Sequence, residues 1–248
     1  MKHPFRVTGR FLRFIGFLLT AALDYLVNCA FRKNSTLAVR SLWLQRNSRR
    51  ALNIFKLQPQ VVGTMPSRGL LVSNHLSYVD VPVLASIMPA VFVAKREIKY
   101  WPVIGWLTRL AGTLFVDRER RTHVGEMNSE IQNALDNGAL VILFPEGTSS
   151  NGQTVLPFKS ALLQPAIKPT QTLSVSCIHY TLDDGDASED VCYWGDHTFF
   201  THLLNLMSKR NIQVTVRFAP VQLTTTDRKE LARQLHEEVL KLKDKGVL

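Results

Sequence analysis

Cysteine is scarce in this sequence of 248 residues, and the few cysteines lie far apart. The three of them, Cys29, Cys177 and Cys192, form no C-x-x-C pair. Disulfide frameworks and zinc sites are both built from several closely spaced cysteines, so we expect neither, and no metal site is predicted. Unpaired cysteines of this kind fit a protein that works in a reducing compartment.

Acidic residues are almost absent from residues 1–50. This segment holds ten Lys/Arg against the single acid Asp24, so it carries +9 of the net charge of +10, and the rest of the chain is nearly neutral. A basic end on a neutral body suggests contact with an anionic surface, either lipid or nucleic acid. The bases accompany a large apolar face rather than a polar groove with stacking aromatic residues, which disfavours nucleic acid.

No apolar run near the N-terminus is unbroken. The stretch Phe11–Phe31 is long enough to cross a bilayer, but Arg13, Asp24 and Asn28 interrupt it. On a helix with about 100° per residue, the polar side chains fall on one stripe: Lys2, Arg6, Arg10, Arg13, Thr20, Asp24 and Asn28. We predict an amphipathic helix that lies in the headgroup region with this stripe towards the headgroups. A helix packed against the body of the protein and a single membrane span are the alternatives.

After a second basic helical stretch, Ser35–Lys56, short apolar runs alternate with helical patterns from Val62 onward. The expected strands are Gly69–Ser73, Val91–Ala94, Thr113–Val116, Ala139–Phe144, Leu173–His179 and Ile212–Phe218. The expected helices are Val79–Met88, Trp101–Ala111, His123–Asn137, Lys159–Lys168, His197–Ser208 and Asp227–Lys243. This alternation predicts an α/β fold with a largely parallel mixed sheet flanked by helices. We divide the chain into residues 1–60, the basic amphipathic membrane anchor, and residues 61–248, the α/β domain.

A histidine and an aspartate follow the first predicted strand. His75 stands in the turn after Gly69–Ser73, and Asp80 stands where the next helix begins, so the carboxylate can reach back to the imidazole. Such a pair makes a general base whose tautomer the aspartate sets, although a structural hydrogen bond is the alternative. Ser77 lies between them but lacks the G-x-S-x-G elbow of a serine nucleophile. A base without a protein nucleophile favours direct attack by a substrate hydroxyl.

Two further strand ends carry polar residues. Arg118 follows the strand Thr113–Val116, where a guanidinium can hold a phosphate or a carboxylate. The run Glu146-Gly147-Thr148 follows the strand Ala139–Phe144, and Gly147 permits a tight turn there. Because ligands on such sheets bind beyond the carboxyl ends of the strands, these loops are expected to converge on one site.

Together these residues resemble the glycerolipid acyltransferase family, in particular the 1-acylglycerol-3-phosphate (lysophosphatidic acid) acyltransferases. The N-H-x4-D block is similar to Asn74–Asp80, a second block to "GTLFVDR" (Gly112–Arg118), and a third to "FPEGT" (Phe144–Thr148) followed by "PFKS". The resemblance implies that His75 is the general base and Asp80 its partner. It also implies a substrate-binding set: Asn74, Lys95, Arg118, Glu146, Gly147 and Thr148.

One block departs from the family pattern. The stretch "TLSVSCIHY" (Thr172–Tyr180) lacks the proline that the family usually carries in this apolar strand, so the acceptor lipid is open at this point. The segment Tyr193–Leu203 is similar to a bacterial subgroup whose acceptors include lyso-ornithine lipids.

The sequence thus predicts an O-acyltransferase on the cytoplasmic face of the inner membrane, held peripherally or by a single span. We expect it to move an acyl group from acyl-CoA or acyl carrier protein to a lysophospholipid hydroxyl, first of all that of 1-acylglycerol-3-phosphate. Membrane lipids and the acyl donor are its expected partners, without nucleic acid and without any cofactor. The alternatives are a lyso-ornithine lipid acceptor, a lipid-binding protein without turnover, and a lipid hydrolase that uses Ser77 or a water activated by His75.

Overall fold

The protein is described by a computed structural model that covers residues 3–30, 36–117, 121–168 and 171–245. The strands in these ranges are β1 (Leu57–Gly63), β2 (Gly69–Ser73), β3 (Val91–Lys95), β4 (Leu114–Val116), β5 (Leu140–Leu143), β6 (Leu173–Leu182) and β7 (Ile212–Val221). They form one sheet in the order β1-β7-β6-β2-β5-β3-β4. Neighbours pair in parallel, except that β6 and β7 are antiparallel. The predicted largely parallel mixed sheet is confirmed.

Helices cover both faces of this sheet, as a largely parallel sheet requires. They are α1 (Pro4–Tyr25), α2 (Leu37–Phe55), α3 (Asp80–Ile87), α4 (Ile104–Leu110), α5 (Arg121–Asp136), α6 (Ala187–Asp190), α7 (Phe199–Ser208) and α8 (Arg228–Asp244). Buried side chains of α2, α3 and α7 share one core with Leu71 of β2. Side chains of α5 and α8 share the other core with Leu70 and Val72. Successive residues of a strand therefore serve opposite cores, and the loop after β2, which carries His75, leaves the sheet between two packed layers.

Two segments differ from the prediction. The edge strand β1 was not expected, because its outward positions are exposed and Pro59 interrupts the apolar pattern. Proline is tolerated in an edge strand, where its missing N–H faces away from the ladder. The predicted helix Lys159–Lys168 is wrong, since the chain forms two short 3₁₀ turns there, Ser160–Leu162 and Gln164–Ile167. Pro165 lacks the N–H that a continuous α-helix would need at that point.

Helix α1 packs on the body of the protein through Arg6 and Arg10 of its basic stripe and through the buried apolar side chains of Val7, Phe17 and Ala21. Arg10 is buried, and its guanidinium donates to the carbonyl oxygens of Met207 at 3.0 Å and Arg210 at 3.0 Å, and also to that of Lys209. Arg6 donates to the carbonyl of Ser208 and lies 3.6 Å from a carboxylate oxygen of Asp184. These carbonyls end α7, where a helix carries unpaired acceptors and partial negative charge. The expectation that Arg6 and Arg10 face lipid headgroups is therefore wrong.

The opposite side of α1 is apolar and faces outward. Large exposed side chains line α1 and the π turn that continues it: Phe5, Leu12, Ile15, Leu19, Leu23, Leu26 and Val27. In the part of the chain that the structure describes, Pro4–Cys29 is the one helix long and apolar enough, by length and composition, to cross a membrane. Asp24 is held inward by Arg46 and Asn47 of α2, so it does not interrupt the outward face. Lys2 of the predicted stripe lies outside the described residues.

Candidate active site

The loop after β2 is fixed to its neighbour β6 by Asn74. Ser73, the last residue of β2, is in register with Ser176, and β6 continues six residues farther, alongside the loop. The buried Asn74 side chain donates to the carbonyl of Ile178 at 3.0 Å and accepts from the Ile178 N–H at 2.7 Å. Both ends of the amide are thus used by the β6 backbone, and Asn74 extends the ladder by one side-chain pair. The side chain of Asn74, predicted to bind substrate, therefore points to the backbone of β6.

His75 and Asp80 are in direct contact. Nδ1 of His75 lies 2.7 Å from Oδ2 of Asp80, which begins α3 and is fully buried. The same oxygen accepts the N–H groups of Leu76 at 2.6 Å and Ser77 at 2.9 Å. A carboxylate in this place keeps the imidazole proton on Nδ1 and leaves Nε2 as the proton acceptor. The arrangement suits a general base that removes a proton from a hydroxyl.

The backbone of His75 is held by the loop that follows β5. Its N–H donates to Oε1 of Glu146 at 2.7 Å, and its carbonyl accepts the N–H of Ser150 at 3.0 Å. The imidazole stacks on the ring of Phe144, with 4.3 Å between the ring centroids. Backbone, ring face and Nδ1 are therefore each tied to a different group, and the ring has little freedom to turn away from a bound substrate.

Comparison with known proteins agrees with this geometry. A family model described as Acyltransferase matches residues 56–181, which contain both loops and β6. A lyso-ornithine lipid O-acyltransferase of Brucella abortus is 39% identical over 193 residues, 72% of this chain and 72% of its own. The chain belongs to the acyltransferase family.

Other relatives of the acyltransferase are named for one of two acceptor lipids. A lyso-ornithine lipid O-acyltransferase of Rhizobium meliloti is 33% identical, over 81% of this chain and 74% of its own. A 1-acyl-sn-glycerol-3-phosphate acyltransferase of Neisseria gonorrhoeae is 31% identical, over 70% of this chain and 69% of its own. A crystal structure of a 1-acyl-sn-glycerophosphate acyltransferase from Thermotoga maritima is 20% identical with a TM-score of 0.68, over 98% of each chain. That last likeness concerns the fold, and it confirms the α/β architecture with an N-terminal helix.

Glu146 of the acyltransferase binds backbone on both sides. In addition to the His75 N–H, its Oε2 accepts the N–H of Leu156 at 3.1 Å. Burial raises the pKa of Glu146 to about 7, and the two N–H donors only partly offset that cost. Gly147 takes a φ of 77°, which favours glycine in this turn, and Thr148 is exposed at its outer side. Glu146 thus joins the two loops, while Thr148 is the residue of this turn that faces outward.

The pKa of Glu146 gives a testable pH dependence. The folded value of about 7 exceeds the ordinary 4.5, so the folded state binds this proton more tightly than the unfolded state. The corresponding stability is complete below the unfolded pKa and is lost as the pH rises through about 7. Between these values the wild-type free energy of unfolding should fall with pH more steeply than that of Glu146→Gln. Urea unfolding in detergent across this range measures both slopes, and equal slopes would contradict the prediction.

Of the remaining predicted substrate-binding residues, the structure describes Lys95. Lys95 ends β3, is exposed, and pairs in register with Val116 of β4. Arg118 lies outside the described residues, so its predicted contact with the headgroup stays a prediction. Ser77 is fully buried, and its Oγ has no hydrogen-bond partner among the residues that the structure describes. A serine nucleophile needs access to substrate, so this position does not support the hydrolase alternative that uses Ser77.

Two tyrosines beside the site, Tyr180 buried and Tyr78 partly buried, were not predicted. Tyr180 of β6 donates its hydroxyl to Oδ1 of Asp80 at 2.6 Å. Tyr78 lies 2.9 Å from Nδ1 of His202, whose Nε2 lies 3.1 Å from the carbonyl of Cys192. Burial lowers the pKa of His202 to about 4, so its ring is neutral and accepts from Tyr78. The only sequence signal for Tyr180 is a large polar-tipped residue on the same side of a buried strand as Ile178.

Proposed function

We propose that this acyltransferase moves a fatty acyl group from a thioester donor, acyl-CoA or acyl carrier protein, to the hydroxyl of a lysolipid. The observation that carries the proposal is the contact of 2.7 Å between Nδ1 of His75 and Oδ2 of the buried Asp80. Nε2 of His75 takes the proton from the acceptor hydroxyl while the oxygen of that hydroxyl attacks the thioester carbonyl. The tetrahedral intermediate then expels the thiolate, which receives the proton back from the imidazolium. The proposed reaction uses no covalent enzyme intermediate and no cofactor.

For the acceptor we propose a lyso-ornithine lipid first and 1-acylglycerol-3-phosphate second. The two lyso-ornithine lipid O-acyltransferases compared above are 39% and 33% identical to this chain, and the 1-acyl-sn-glycerol-3-phosphate acyltransferase is 31% identical. The order reverses the one that the sequence motifs suggested, in which the glycerophosphate acceptor came first.

We also propose that α1 lies in one leaflet of the membrane without crossing it, on the cytoplasmic side where acyl-CoA and acyl carrier protein are found. Its outward side chains, such as Leu12, Leu19 and Leu23, would enter the lipid. Arg6 and Arg10 hold its inner side on the end of α7. A helix crossing the bilayer would have to break these hydrogen bonds and bring both guanidinium groups into lipid, which is costly.

An acceptor panel tests this function. The purified protein on liposomes is given labelled acyl-CoA or acyl carrier protein, together with lyso-ornithine lipid, lysophosphatidate, lysophosphatidylglycerol or no acceptor. We expect thiol release and labelled product to depend on acceptor, with the highest kcat/KM for lyso-ornithine lipid. A preference for lysophosphatidate would reverse the order of acceptors. Free fatty acid formed without acceptor would indicate a hydrolase, and no thiol release with any acceptor would indicate a lipid-binding protein.

A further inference from the structure

Asp80 receives a fourth hydrogen bond that the family motif does not include. Three donors, the His75 ring and the N–H groups of Leu76 and Ser77, share its Oδ2. Its other oxygen, Oδ1, accepts the hydroxyl of Tyr180 at 2.6 Å. Tyr180 is 2% exposed and Asp80 is 0% exposed, so water does not substitute for either partner at this contact. Charge-assisted hydrogen bonds of this length in a buried place are among the strong ones.

The strand that carries Tyr180 is rigidly registered to the loop. Asn74 binds both backbone groups of Ile178, and Tyr180 follows two residues later with its side chain on the same side of the strand. On its other edge β6 pairs with β7 along its whole length, Leu173–Leu182, including Tyr180 opposite Val214. β6 itself contains no proline, and Pro220 of β7 lies opposite Ser174, at the other end of the ladder from Tyr180. The hydroxyl is thus presented to Asp80 by a strand that is fixed on both edges.

We propose that Tyr180 is a positioning residue for acyl transfer, which holds the Asp80 carboxylate against His75 and limits how strongly that carboxylate attracts the imidazole proton. The inference rests on the proposed role of His75 as the general base. Tyr180 keeps its own proton throughout and acts through Asp80 without touching substrate. Burial, and next the charge of Asp80, raise the pKa of Tyr180 well above its usual value, so the hydroxyl remains a donor over the working pH range.

Two consequences follow for a variant without the hydroxyl. Oδ1 loses the donor from β6, so the carboxylate can rotate and the imidazole is less well aimed. The carboxylate also becomes a stronger proton acceptor, so it is protonated more easily and stabilises the imidazolium more. Both effects on protonation move the acidic limb of the pH–rate profile to higher pH. By analogy with groups that orient metal-bound histidines, we expect kcat to fall about 10- to 100-fold.

The test compares Tyr180→Phe with Tyr78→Phe. Tyr78 is the control, because it is also a tyrosine beside the loop but gives its hydroxyl to His202 at 2.9 Å and not to Asp80. Each variant loses one side-chain hydrogen bond, buried at Tyr180 and partly buried at Tyr78, so the loss of thermal stability should be at least as large in Tyr180→Phe. Only Tyr180→Phe should lower kcat with little change in KM for donor and acceptor, and only it should shift the acidic limb. The inference is overturned if Tyr180→Phe has a wild-type kcat and pH profile, or if Tyr78→Phe shifts the limb equally.

A second replacement covers the case in which Tyr180→Phe does not fold. Tyr180→3-fluorotyrosine keeps the hydroxyl and nearly the same volume, but its more acidic phenol is a stronger donor. We expect the acidic limb to move to lower pH, opposite to the effect of Tyr180→Phe. An unchanged limb in the fluorinated protein contradicts the inference.

His75→Ala separates this inference from the proposed function. If His75→Ala still transfers acyl groups, the general-base mechanism fails and the inference on Tyr180 fails with it. If His75→Ala is inactive while Tyr180→Phe keeps wild-type kinetics, the mechanism stands and only the positioning role of Tyr180 is lost.

Discussion

His75→Ala should abolish detectable acyl transfer, because it removes the group that takes the proton from the acceptor hydroxyl. General-base catalysis contributes about 10²- to 10⁴-fold, so turnover should fall by at least that factor. The fold should persist, since the imidazole contacts mainly the ring of Phe144 and the carboxylate of Asp80. Thiol release and labelled product formation on liposomes measure the loss, and circular dichroism with liposome flotation checks the fold and the attachment.

His236→Ala is the matched control for this experiment. Its ring is also partly buried and lies against a phenylalanine, Phe158, with 5.2 Å between the ring centroids. It sits on α8, at the opposite face of the sheet from α3 and α7. We expect wild-type turnover per folded molecule in His236→Ala. Undiminished turnover in His75→Ala, or an equal loss in both variants, would refute the proposed mechanism.

Asp80→Asn tests the same base by changing the partner of its Nδ1. An amide oxygen can still accept the N–H groups of Leu76 and Ser77, so the loop should keep its shape. The same oxygen can still accept the imidazole N–H and keep the tautomer, but a neutral amide stabilises the imidazolium that forms during proton transfer much less than a carboxylate does. The loss of turnover should therefore lie within the roughly 10²- to 10⁴-fold that general-base catalysis contributes. A much smaller loss in turnover would mean that Asp80 acts only on the backbone of the loop.

The sequence predicted the parts of the site that local spacing determines. His75 and Asp80 are five positions apart, and the start of α3 directly after the turn brings the carboxylate back to the ring. Apart from the edge strand β1, the strands were likewise readable as short apolar runs. Tyr180 reaches Asp80 only through the pairing of β6 with β2, 100 residues farther along the chain, and no local pattern contains that register.

Polar residues beside the base posed a different difficulty. The family resemblance assigned Asn74 and Glu146 to substrate binding, and the structure shows both with their side chains bound to backbone. A polar residue that binds a ligand and one that hydrogen-bonds the backbone of a loop can be of the same type and stand at the same place after a strand. The difference depends on which backbone groups lack a partner, and that is known only once β6 and the Glu146 turn are placed.

For helix α1, too, the sequence pattern does not determine which partner the polar side chains contact. The helical period correctly separates a basic side from an apolar side, but it does not tell which side meets the body of the protein. The end of α7 decides this, because its carbonyl oxygens need donors and Arg6 and Arg10 supply them. Two arginines of the basic stripe are thereby used inside the protein, while large apolar side chains such as Leu12, Leu19 and Leu23 stay exposed.

The outward face of α1 should therefore dominate attachment to lipid. In the triple variant Leu12→Ser, Leu19→Ser, Leu23→Ser we expect binding to liposomes to weaken by at least about 100-fold, since burying one leucine contributes about 1.5–3 kcal/mol and 1.4 kcal/mol is a factor of ten. The three positions are exposed, and docking of α1 through Arg6 and Arg10 should be unaffected. Replacing the same leucines by methionine keeps the apolar area and should preserve binding, which a flotation assay measures. Wild-type flotation of the serine variant would show that this face meets something other than lipid.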